Sequence, residues 1–82
     1  MRVTFLGMTH LGINSAAVAA KKGWTVSCFD FNQQRLRKIS DAQTEYSEPY
    51  LKDYLQRYAQ KIRILEVVSE ENMGDLIYIS AD

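Results

Sequence analysis

Near the start of the chain, Gly7-Met8-Thr9-His10-Leu11-Gly12 sets two glycines between contrasting segments. Val3 to Leu6 ahead of them is a short run of strand formers, and Ile13 to Ala20 behind them is small-residued and helical in character. A glycine-bounded turn from strand to helix suits anion binding. The first N–H groups of a helix have no intrahelical partner and carry partial positive charge. In the G-x-G-x-x-G arrangement that receives a pyrophosphate, each glycine has its own task. The first makes the turn, the second lets phosphate approach backbone, and the third lets helix and strand pack. Gly7 and Gly12 fill the first and third positions, while Thr9 stands at the second. Its Cβ and methyl occupy the place of the cofactor's backbone contact, which predicts weakened binding. Its hydroxyl offers a phosphate oxygen a donor in partial compensation.

Asp30 lies 23 residues after Gly7, at the end of the next strand-like run, near the usual spacing of about 20. A carboxylate there accepts hydrogen bonds from the adenosine ribose, and its charge repels a 2′-phosphate, favouring NAD over NADP. The plainer alternative is a strand-to-helix turn with no ligand. Phe31 either borders an adenine ring or packs at a rim. His10, the only histidine, either faces the pyrophosphate or is an exposed loop residue; alone it builds neither a metal site nor a relay. Cys28, the only cysteine, sits in mid-strand and reads as a small buried thiol rather than a nucleophile. It also excludes a disulfide framework and a thiolate metal cluster.

Positioning these groups requires strands and helices in alternation. In the first helix Leu11, Ser15, Val18, Ala19 and Lys22 fall at helical spacing, and Lys21, Lys22 and Gly23 form its C-terminal end. Trp24 to Phe29 predicts a second strand. Asn32 caps a short helix with Leu36 and Ile39 inward. Ser40 to Ser47 reads as a loop, and Pro49 sets a helix start near Glu48. That helix has the clearest period, Leu51, Tyr54, Leu55 and Tyr58, with Glu48–Lys52 and Asp53–Arg57 pairs outside. Ile62 to Leu65 predicts a third strand, Ser69 a single helical turn ended by Gly74, and Leu76 to Ile79 a fourth strand. The succession implies an α/β fold with a parallel sheet, since helical crossovers return the chain in the same direction. Right-handed crossovers and a switch point beside the first strand give the order 3-2-1-4, a Rossmann-like half-domain.

With 82 residues, ten basic and ten acidic side chains and 46% hydrophobic residues, the chain suits one small domain. Zero formal charge argues against a nucleic-acid partner, which needs a basic face. No apolar run reaches the roughly 20 residues of a spanning helix, so no membrane partner is expected, and a single cysteine without a disulfide framework makes a cytoplasmic setting the expectation.

These residues resemble the UDP-glucose/GDP-mannose dehydrogenase family, whose members begin with a strand, a glycine loop and an alanine-rich helix ending in Lys-Gly. Met1 to Asp30 is similar throughout, Tyr46-Ser47-Glu48-Pro49-Tyr50-Leu51 is similar to the family's Tyr-Glu-Pro-Gly-Leu helix start, and Lys61 to Leu65 and Gly74 to Ile79 follow its next strands. The resemblance implies NAD as cofactor, held by Gly7, Met8, Thr9, His10, Leu11, Gly12, Asp30 and Phe31, with Arg35 supporting the adenosine end. Four departures stand out: Thr9 for the second glycine, Asn14 for a proline, Tyr50 for the glycine after Glu-Pro, and Ser80-Ala81-Asp82 for a segment of small residues and proline. The resemblance places the catalytic cysteine, lysine and acid–base groups beyond residue 82. The expectation is an NAD-binding domain of residues 1–82, partial relative to the family and without catalytic or metal-binding residues. A stand-alone adenine-nucleotide or assembly module, or a remnant that has lost its cofactor, is the alternative. Leu76 to Ile79 is expected to be an unpaired apolar edge, and hence a route to homo-oligomers.

Overall fold

The first strand, β1 (Arg2–Leu6), lies inside a four-stranded parallel sheet in the computed structural model, which describes residues 1–41 and 49–80. It is followed by α1 (His10–Lys21), β2 (Thr25–Phe29), α2 (Gln33–Ser40), α3 (Pro49–Arg57), a short 3₁₀ turn (Ala59–Lys61), β3 (Ile62–Ile64) and β4 (Leu76–Ile79). The sheet order is β3-β2-β1-β4, the order the sequence predicts. The β1–β2 crossover moves the chain to one side of β1, and the β3–β4 crossover brings it back to the other. The two directions diverge between β1 and β4, the switch point at which ligands enter such sheets.

Side-chain alternation sorts the sheet into two unlike faces. On one, Ile62, Val26, Val3 and Leu76 form a row across the strands, and Ile64, Cys28, Phe5 and Tyr78 form the next. Val3, Phe5, Val26 and Cys28 are buried in one core with Ile13, Ala16, Ala17, Leu51 and Leu55. The opposite face carries a row of Arg63, Ser27 and Thr4 that ends in Ile77, beside an apolar one, Phe29, Leu6 and Ile79. Thr4 is fully buried there, and its hydroxyl accepts a 2.7 Å hydrogen bond from the Gly74 N–H.

The buried face of α1 is Gly12, Ile13, Ala16, Ala17, Ala19 and Ala20. Of the positions marked in the sequence only Ala19 belongs to it; Leu11 and Val18 are exposed. The small residues win because a helix lying this close to a sheet has no room for leucine. Gly23, at φ 95°, ends the helix as a C′ residue, with its N–H bonded to Ala20 O. In α3, Leu51 and Leu55 are buried and Tyr54 half-buried, as is Tyr58 just past its end, as their period requires. Tyr54 also ties the two helices together, since Lys21 Nζ donates to its hydroxyl at 2.8 Å. Asp53 and Arg57 pair at 3.3 Å across one turn. Asn32 caps α2 through Gln34 N and Arg35 N, and Leu36 and Ile39 are its buried residues. Between β3 and β4 the helical turn at Ser69 shrinks to a single hydrogen-bonded turn, Asn72 N–H to Ser69 O. The loop expected from Ser40 to Ser47 begins later, since Ser40 is the last residue of α2 and Asp41 its C-cap; its residues 42–47 and the Glu48–Lys52 pair lie outside the described residues.

Candidate functional site

The two glycines of the loop are fixed by what surrounds them. Gly7 has φ 102°, a region that L side chains rarely adopt, and a Cβ there would lie 2.0 Å from the Ser80 carbonyl oxygen. A Cβ on Gly12 would lie 2.0 Å from the Gly7 carbonyl oxygen. The first glycine thus makes the turn and admits the end of β4, and the third lets α1 descend onto the turn.

Asp30, just past β2, is 9% exposed and holds the loop from the other side. Its Oδ2 accepts the Met8 N–H at 2.6 Å and its Oδ1 accepts the Asn32 N–H at 2.7 Å. Asn32 in turn caps α2 and so positions Arg35, whose Nη1 stands 3.9 Å from Asp30 Oδ2. A carboxylate oxygen has two lone pairs, so each keeps acceptor capacity after these backbone bonds. The chemistry of the site suits a ribose diol: a fixed acceptor pair at the mouth of a cleft with a cation beside it.

Thr9 is the N-cap of α1, and its Oγ1 accepts the Gly12 N–H at 3.1 Å. The same hydroxyl lies 2.6 Å from Ser80 Oγ, and both residues are buried. Two of the departures noted in the sequence are therefore in contact. So are the other two within the described residues: the Tyr50 hydroxyl donates to Asn14 Oδ1, and Asn14 Nδ2 donates to His10 O at 2.8 Å.

Over these groups opens a cleft of about 710 Å³ at the carboxyl ends of the strands, lined on one side by Gly7, Thr9, Asp30, Phe31 and Arg35. Phe31 is 92% exposed, its ring edge-on to Phe29 at 5.2 Å. Four of the sequence-predicted residues do not line this cleft. The Met8 side chain is buried in the core, and its N–H is already bonded to Asp30. Gly12 lies behind the loop, while His10 and Leu11 occupy the first turn of α1 with exposed side chains. Any part Met8 and Gly12 play toward a ligand runs through backbone or loop shape.

Most of the other wall of the cleft lies outside the residues marked in the sequence, Ser80 of the departure after the fourth strand excepted. Glu66, Val67 and Val68 after β3, with Leu6, Ile79 and Ser80, complete it. No spacing rule marks a loop after a short third strand; only the strand order, which carries β3 to the far side of β2, brings it here. Cys28 is buried mid-strand, and burial pushes its thiol up to about 12. Among the described residues no group of three His, Cys, Asp or Glu side chains is placed to hold a metal, and no helix is long and apolar enough to cross a membrane.

Solved structures similar to this one share its fold. The UDP-glucose dehydrogenase of the hyperthermophilic archaeon Pyrobaculum islandicum is 23% identical, with a TM-score of 0.85 over 96% of this chain and 19% of that one. The UDP-D-ManNAc dehydrogenase of Pyrococcus horikoshii is 22% identical, at 0.87 over 98% and 20%. The GDP-mannose dehydrogenase of Pseudomonas aeruginosa is 20% identical, at 0.91 over 100% and 20%. The chain thus spans about a fifth of the length of each. No curated protein sequence matches it. The model of one family's NAD binding domain, however, matches residues 1–82 from end to end, and by that match the chain belongs to the UDP-glucose/GDP-mannose dehydrogenase family.

Proposed function

We propose that this domain binds NAD in the cleft at the switch point, with the adenosine ribose on Asp30 and the pyrophosphate over the Gly7–Gly12 turn. The observation that carries the reading is the convergence of Gly7, Asp30, Phe31 and Arg35 on one cleft from three separate segments. Asp30 accepts the ribose hydroxyls, Arg35 flanks it, and Phe31 offers an aromatic face to adenine. NAD is preferred to NADP because a 2′-phosphate would meet the Asp30 carboxylate. Bound NAD supplies hydride-accepting chemistry; these residues bind and orient it. Relative to a chain with glycine at position 9, binding is weaker, since Thr9 puts a side chain on the cleft wall.

The solved dehydrogenases, each about five times as long as these 82 residues, are named for nucleotide sugars. Our reading assigns this chain the cofactor-binding part and none of the reacting groups. The buried Cys28 supports that assignment, because a thiol held near 12 is protonated at neutral pH. The cofactor-free remnant is disfavoured by the departures themselves, since Thr9 with Ser80 and Asn14 with Tyr50 are hydrogen-bonded pairs rather than isolated losses. A cytoplasmic setting, where such a cofactor is at hand, goes with this proposal.

Calorimetric titration of the full chain with NAD, NADP and adenosine tests it. NAD binding that is about tenfold tighter than NADP and lost in Asp30→Ala is the expected result. Equal binding of both cofactors, or an Asp30→Ala variant that binds as the parent does, would overturn it.

A second copy of the chain is the proposed partner, through β4. The β3 edge carries Arg63 with Lys61 beside it, whereas β4 reads Leu-Ile-Tyr-Ile with no charge, and Leu76, Ile77 and Ile79 are exposed. An edge that faces water is ordinarily blunted by charge, as β3 is; β4 has the composition of an interior strand.

A further inference from the structure

Thr9 follows β1 and Ser80 follows β4, so their hydroxyls meet across the switch point, where a pyrophosphate enters a sheet of this order. Each hydroxyl carries one hydrogen and two acceptor lone pairs. The 2.6 Å contact between them consumes one hydrogen, and the Gly12 N–H consumes one lone pair on Thr9. If Thr9 donates to Ser80, the Ser80 hydrogen is left over; if Ser80 donates, the Thr9 hydrogen is. Either way one O–H remains, and among the described residues it has no acceptor. Both residues are more than nine-tenths buried, at 6% and 9% exposure, and both line the cleft. A buried donor of this kind is ordinarily matched. We propose that the Thr9–Ser80 pair is a recognition element for the pyrophosphate, presenting one O–H to a phosphate oxygen where the fingerprint would use close approach to a glycine. Ser80 thereby becomes a binding residue that no loop motif contains.

The inference rests on the reading of the cleft as a dinucleotide site, and the test separates the two. Proton counting makes an unusual demand: removing one hydroxyl frees the hydrogen of the other, so single variants keep a donor and only the double variant has none. Calorimetry is run with NAD, ADP-ribose and adenosine on the parent chain, Ser80→Ala, Thr9→Val and the double variant. The expected result is a change of about twofold for NAD and ADP-ribose in Ser80→Ala. The same serine substitution made in the Thr9→Val background produces a loss of about tenfold, the scale of a hydrogen bond to a charged group. Adenosine, which has no phosphate, binds all four proteins alike. Should Thr9→Val fail to fold for want of its N-cap, the cycle built on Thr9→Gly reads the same coupling, because glycine is tolerated there. Equal effects of Ser80→Ala in both backgrounds, or a parallel loss of adenosine, overturn the hydroxyl pair while leaving the cleft reading intact. If neither NAD nor adenosine binds the parent, the cleft reading falls and the pair falls with it.

Discussion

Asp30 shows how one side chain can have two tasks of which the sequence displays one. Its spacing from Gly7 announces a ribose acceptor, but its bonds to Met8 and Asn32 also brace the glycine turn and the start of α2. Asparagine in its place keeps one acceptor oxygen and sets an amide against one of those N–H donors. Asp30→Asn is therefore expected to weaken adenosine and NAD together by about tenfold and to lower stability by about 1–3 kcal/mol, the usual consequence of a lost buried partner. Chemical denaturation and calorimetry on one preparation check both effects. Thr9→Gly is expected to tighten NAD several-fold in the same calorimeter, because it removes the Cβ and leaves the Ser80 hydroxyl in place. Cys28 gives a pH prediction. Its folded-state pKa is raised from 9.0 to about 12 by burial, so its stabilising contribution is complete below the unfolded value. That contribution is lost as pH rises from about 9 toward 12. Urea midpoints of the parent should fall relative to Cys28→Ala over that window and run parallel below it. A thiol reagent at neutral pH should modify the unfolded chain and leave the folded one untouched.

The elements were legible wherever period and punctuation agreed. Leu51, Tyr54, Leu55 and Tyr58 predict a helix face, and α3 buries its two leucines on it; Leu55→Ala is expected to destabilise by about 2–5 kcal/mol, measured by thermal or urea unfolding. Asn32, Gly23 and Pro49 stand at helix ends because their chemistry suits no helix interior. In α1 the same reasoning misleads, since position along a period says nothing about how near the sheet lies. The alanines and Gly12 are buried there because the helix is close, and Leu11 and Val18 are turned outward. Gly12→Ala puts a methyl onto the Gly7 carbonyl and is expected to unfold the loop or displace α1, with loss of native circular dichroism well below the parent's melting temperature.

For the molecule as a whole, the unlike edges of the sheet carry the prediction. If β4 pairs with a second copy, light scattering at tens of micromolar should report a dimer, and Ile79→Lys, at a position 75% exposed, should return it to monomer with its fold intact. A monodisperse parent monomer would leave the edge to a different occupant and dismiss the dimer. The sequence by itself determined the strand and helix order, the parallel sheet, the glycine turn and the acidic residue, because each is written in local spacing that backbone geometry must obey. Tertiary structure decided which residues share the cleft. Glu66, Val67, Val68 and Ser80 reach it only because the order β3-β2-β1-β4 folds distant segments to one end of the sheet. It also decided that Thr9 and Ser80, 71 residues apart, bond to each other, as do Asn14 and Tyr50. Read along the chain, those positions are isolated departures from a family pattern. The folded chain joins them into pairs, because hydrogen bonding depends on distance in space and not on separation in sequence.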